Sequence, residues 1–136
     1  MARAILADAN VEGHLQILLT ILEGPIWQQI WDHLQLSLLT FHEIGLTADA
    51  SDAAVWQICQ QRQIILVTAN RNADGPDSLE ATIRTQNTAS SLPVFTFADA
   101  DQVLRSRAYA ERVVERLLEY LLDIDNFRGT GRLYLP

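Results

Sequence analysis

Apolar residues fall into two rhythms along this chain. Ala4–Ala7, residues 36–41, Ile64–Thr68 and Val94–Phe97 are short runs, partly β-branched, of strand length. Between them apolar positions recur every three to four residues, the spacing of a helix with one buried face. A first helix is expected over 10–22, with Asn10 as cap and Val11, Leu15, Leu18, Leu19 and Leu22 on one side. Gly24-Pro25 ends it, and Pro25 opens a second helix carrying Ile26, Trp27, Ile30, Trp31 and Leu34. A third covers about 51–61 with Val55, Trp56 and Cys59 inward, and a short fourth covers 79–84.

Asp99 begins the last helical region. Within it, 108–124 reads as an amphipathic helix in which Val113/Val114, Leu117/Leu118 and Leu121/Leu122 recur. Such a stripe packs into a core or forms a dimer face. The tail over 129–136, with Leu133-Tyr134-Leu135, reads as an added edge strand or as an arm to a neighbour.

Strands alternating with helices mean βαβ units, hence a parallel sheet covered on both sides. No repeat and no linker divides the chain, so 1–136 is expected to be one domain. The expected fold is a three-layer α/β/α sandwich with a small, mainly parallel sheet of about four strands. Function in such sheets gathers beyond the carboxyl ends of the strands. Asp8, the 41–43 segment, Asn70 and Asp99 fall on that edge.

Composition narrows the field. With 49% hydrophobic residues in 136, the chain can bury a core without disulfides or a structural metal. One cysteine, Cys59, excludes a disulfide framework and a Cys-based zinc site within the chain. No apolar run approaches the roughly 18 residues that span a bilayer, and the N-terminal apolar stretch is too short for a signal peptide. A reducing, cytoplasmic setting is expected. Seventeen acids face ten bases, every base is Arg, and the net charge is -7. A protein that coats nucleic acid non-specifically needs the opposite balance. Arg105, Arg107, Arg112 and Arg116 come nearest to a basic patch, and Glu111, Glu115 and Glu119 interrupt it. A small RNA contact bridged by metal ions stays open.

Several chemistries lack their residues. GxGxxG, the P-loop and the GxSxG elbow are absent, and His14, His33 and His42 lack the HExxH spacing. Acids at strand ends and helix starts remain. A carboxylate at Asp8 is costly in a crevice unless paired, hydrogen-bonded or metal-bound; otherwise Asp8 caps the next helix. Asp49, Ser51 and Asp52 flank a helix start, where capping is the plain reading. Asn70, Asn72, Asp74 and Asp77 supply oxygens in one loop, as a turn does and as a hard cation requires. Asp8 as a phosphoryl nucleophile lacks its companion acid, because Asn10 stands two residues on.

The strings Ile5-Leu6-Ala7-Asp8-Ala9-Asn10, Glu43-Ile44-Gly45-Leu46, Ala50-Ser51-Asp52 and Ile65-Leu66-Val67-Thr68 follow one another in an order that resembles the PIN-like family, in particular its small toxin–antitoxin members. The resemblance covers about residues 3–97. It implies a Mg²⁺- or Mn²⁺-dependent endoribonuclease, the toxin of a toxin–antitoxin pair, with an antitoxin-type protein as partner and RNA as substrate. Asp8 matches the first-strand acid and Asp52 the helix-start acid. Where the family has Asp-x-Asp after Val-Thr, this chain has Asn70-Arg71-Asn72, with Asp74 as the nearest carboxylate. On this basis Asp8, Asp52 and Asp74 are the expected catalytic acids, and Asn70 and Asn72 join them as expected metal ligands. The amides remove two negative charges from such a site. The alternative is therefore a weakened or inactive PIN-like module that works through protein contacts, as a homodimer or with another chain.

Overall fold

A five-stranded sheet forms the centre of the molecule, with helices on both of its faces. The computed structural model describes residues 2–136. The strands are β1 (Ala4–Ala7), β2 (Ser37–Leu39), β3 (Ile64–Thr68), β4 (Val94–Phe97) and β5 (Arg132–Leu135). The helices are α1 (Glu12–Leu22), α2 (Gln28–Leu34), α3 (Asp52–Arg62), α4 (Leu79–Gln86), α5 (Ala100–Arg105) and α6 (Arg107–Leu122), with short 3₁₀ turns between some of them. The strand order is β2-β1-β3-β4-β5, and every neighbouring pair is parallel. The sheet therefore has five strands where the sequence pattern gave four. The tail supplies the fifth: Leu133 lies opposite Phe95, and Leu135 opposite Phe97.

Side-chain alternation divides the core into two halves. Ile5, Ala7, Ile65, Val67, Phe95, Phe97 and Leu135 face α1, α2, α5 and α6. Ala4, Leu6, Ile64, Leu66 and Val94 face Val55, Trp56 and Cys59 of α3 and Leu79 and Ile83 of α4. This is the three-layer α/β/α sandwich, with strands buried on both faces as parallel sheets require.

The 113–122 stripe packs inward: Val113, Val114, Leu117, Leu118 and Leu121 are buried in the chain's own core, while Leu122 stays exposed. The tail likewise pairs with β4 of its own chain, so neither feature offers the free dimer face or arm that the sequence allowed. Of the two candidate caps, Asp8 rather than Asn10 caps the turn that leads into α1, by accepting from the Ala9 N–H. Two other helix starts differ from expectation. The second helix begins at Gln28, three residues past Pro25, and leaves Ile26 73% exposed. The last helical region breaks at Ser106, whose extended backbone and side-chain cap on the Tyr109 N–H start α6 afresh. No helix among the described residues is long and apolar enough to cross a membrane.

Cys59, on the inner face of α3, is 1% exposed. Burial, aided by the Asp8 carboxylate and opposed by Arg62, pushes its thiol up to about 12. The reactive thiolate is then nearly absent at about pH 8. Folded protein is expected to resist a thiol reagent such as DTNB at that pH and to react fully in denaturant; rapid reaction without denaturant would contradict the packing beneath α3.

Candidate functional site

Strand order reverses between β1 and β3, and a crevice opens beyond their carboxyl ends at that point. Asp8 continues the phase of Ala4 and Leu6, so its side chain emerges on the α3/α4 side. Its Oδ1 accepts from the Ala9 N–H at 2.8 Å, and its Oδ2 accepts from the Thr68 hydroxyl at 2.6 Å. Thr68 is fully buried, in phase with Ile64 and Leu66, and its Oγ1 accepts in turn from the Asn70 N–H at 2.9 Å.

Asp52 reaches the same place from the opposite side. Ser51 caps α3 by accepting from the Ala54 N–H, which leaves Asp52 as the first helical residue. Asp52 Oδ2 accepts from Asn70 Nδ2 at 2.9 Å and from the Leu79 N–H at 3.1 Å. Asp52 thus also satisfies a donor at the start of α4, where a negative charge complements the helix dipole. A continuous chain of hydrogen bonds results, from Asp8 through Thr68 and Asn70 to Asp52 and α4. The two carboxylates share a cleft of about 190 Å³ with Asn10, Phe41, Asn70 and Leu79.

The loop after β3 is built from Asx turns. Asn70 Oδ1 accepts from the Asn72 N–H at 2.8 Å, and Asn72 Oδ1 accepts from the Asp74 N–H at 2.9 Å. These bonds fix the amide orientation at Asn70, since a flipped amide would set N–H against N–H. The group Asn70 presents to Asp52 is therefore a donor. Each of the two oxygens expected as metal ligands, Asn70 Oδ1 and Asn72 Oδ1, accepts one N–H of the loop's own backbone, which leaves one lone pair on each.

Asp74 does not line the cleft that holds Asp8, but with Asp52, Asn72 and Asp77 it lines an adjoining open depression. No three His, Cys, Asp or Glu side chains among the described residues come close enough to hold a metal ion together. The charged donors that line the cleft are thus two carboxylates, Asp8 and Asp52. Mg²⁺ commonly takes one or two carboxylates and completes its octahedron with waters. Asp8 and Asp52 fit that water-rich arrangement, each carboxylate already oriented by neighbouring donors. They do not fit an all-protein cage.

No family model matches the chain, and no curated protein or solved structure is significantly similar to it.

The other edge residues have local duties. Glu43 Oε1 accepts from the Thr40 N–H and hydroxyl, closing a turn. Asp99 caps α5, and hydrogen bonding from Gln102 holds its carboxyl below the usual range. His14 packs near the Phe97 ring, 5.8 Å between centroids, and burial lowers its imidazole pKa. None of these lines the cleft. Two residues of the network escaped the sequence reading. Thr68 was legible in principle, as the one polar residue ending an apolar strand. Arg132 was not: it donates to the Asn70 carbonyl oxygen from β5, and a lone arginine in a tail has no pattern.

Proposed function

We propose that this protein is a PIN-like endoribonuclease that hydrolyses RNA with Mg²⁺ or Mn²⁺, acting as the toxin of a toxin–antitoxin pair. The observation that carries this reading is the meeting of Asp8 and Asp52 in one cleft at the strand-order reversal, each braced by donors from a third element. The ordered strings that resemble PIN-like proteins support it. A bound cation would activate water and stabilise charge developing on the phosphate. Asp8 and Asp52 would hold the cation, Thr68 and Asn70 fix their carboxylates, and Phe41 and Leu79 add apolar surface to the lining. A net charge of -7 disfavours non-specific RNA contact over the surface as a whole.

Calorimetric titration of Mg²⁺ and Mn²⁺ into chelator-treated protein, followed by cleavage assays on structured and single-stranded RNA, tests the reading. Micromolar to low-millimolar binding with metal-dependent cleavage is the expected result. Absence of both would favour the second reading, a PIN-like module that works through protein contacts. One observation favours that second reading specifically: Asn70 sets an N–H donor, not an oxygen, against Asp52.

A further inference from the structure

Arg132 is a charged side chain only 7% exposed, at the start of the last strand. Alternation along β5 sends Leu133 and Leu135 to the α1/α6 side of the sheet and Arg132 to the α4 side. There its guanidinium spans three elements. Nε donates to Glu80 Oε1 of α4 at 2.9 Å, with Nη2 2.7 Å from the same oxygen. Nη1 donates to Thr96 Oγ1 of β4 at 2.7 Å and to the Asn70 carbonyl at 2.8 Å. Gly131 makes the approach possible. Its φ is +83°, and a Cβ there would lie 3.0 Å from Ile83 Cγ2 of α4.

We propose that Arg132 is a positioning residue for the carboxylate cleft, acting through the backbone of Asn70. Asn70 is gripped from both sides: its N–H by Thr68 Oγ1, its carbonyl by Arg132. With the backbone held there, the side-chain amide, oriented by the Asn72 N–H, reaches Asp52 and holds its carboxylate in the cleft. A guanidinium suits this duty because its planar fork fixes several acceptors in one geometry. Burying it costs desolvation that a well-packed apolar side chain would avoid. Stability alone therefore gives little reason for an arginine here, and placement of the loop gives a specific one. The metal arm of the test rests on the proposed nuclease reading; the exchange arm does not.

The test compares wild-type protein with Arg132→Met, Glu80→Gln and Asp8→Asn by ¹⁵N-detected hydrogen exchange and by calorimetric Mn²⁺ titration. In Arg132→Met the Asn70 and Leu79 amides, which donate to Thr68 and Asp52, should exchange about tenfold faster. The β1 and β3 amides should keep their protection. The Mn²⁺ dissociation constant should rise roughly 10- to 100-fold, as for loss of an orienting group behind a metal ligand. Glu80→Gln keeps the side-chain volume and should give a smaller shift in the same direction; it carries the test if Arg132→Met does not fold. Unchanged protection of Asn70 and Leu79 would overturn the proposal. So would a uniform loss across β1 and β3, or faster exchange with unaltered Mn²⁺ affinity. If wild-type protein binds no Mn²⁺, the nuclease reading fails, and the exchange pattern alone still decides the role of Arg132.

Discussion

Asp8→Asn is expected to weaken Mn²⁺ binding by at least about 100-fold and to remove metal-dependent RNA cleavage, while the protein stays folded. Loss of an orienting partner behind a metal ligand typically costs 10- to 100-fold, so loss of one of only two charged ligands should reach or exceed the upper end. The change is nearly isosteric. The Asn oxygen can still accept from the Ala9 N–H, and only the contact with the Thr68 hydroxyl must rearrange. One such hydrogen bond is worth about 1 kcal/mol, a modest part of a domain's stability. Calorimetry with a thermal melt on the same sample separates the two effects. Mn²⁺ affinity untouched by the substitution would move the metal out of this cleft, with the open depression beside Asp74 and Asp77 next to examine.

Phe95→Ala should be the most damaging single truncation to the fold, costing about 3–5 kcal/mol. Phe95 is fully buried, lies opposite Leu133 in the sheet, and sets its ring 5.5 Å from that of Tyr120 on α6. Tyr120 in turn packs edge-on against Phe127 and donates its hydroxyl to the Tyr134 carbonyl. The vacated volume would thus sit where β4, β5 and α6 meet, with neighbours too constrained to collapse into it. For a domain of this size the melting temperature should fall by roughly 10–20 °C. A loss under about 1 kcal/mol in urea unfolding would mean that α6 and β5 do not close over β4 as described.

The parts of this fold that were legible in the sequence are those that local pattern decides. β3 and β4 have the boundaries of their apolar runs, because strands buried on both faces need unbroken apolar sequence. Ser51 was placed correctly at a helix start, since capping depends on neighbours three residues away. β5 was harder. Arg132-Leu133-Tyr134-Leu135 is a strand only because β4 lies beside it, brought there by a crossover through α5 and α6.

The cleft divides along the same line. Asp8 and Asp52 could be nominated from their positions at a strand end and a helix start. The duty of Asn70 turned on which end of its amide faces Asp52, and that is set by the Asn72 N–H two residues on. Asp74 was nominated by proximity in sequence, and the successive Asx turns set it in the depression it shares with Asp52, not in the cleft with Asp8. No periodicity reports such a deflection.

The placement of Arg132 also gives the protein a timetable. Synthesis runs from Asp8 toward β5 at about 5–20 residues per second. β1, β2 and β3 can pair, and α3 and α4 can cover them, while the last strand is still unmade. In that interval Asp8 and Asp52 already exist, but nothing grips the Asn70 carbonyl, and Thr96 and Glu80 lack their shared partner. On the proposed role of Arg132, the cleft reaches its final geometry only after residue 132 has left the ribosome. On that role, a nascent chain carries both acids before it carries the contact that aligns them.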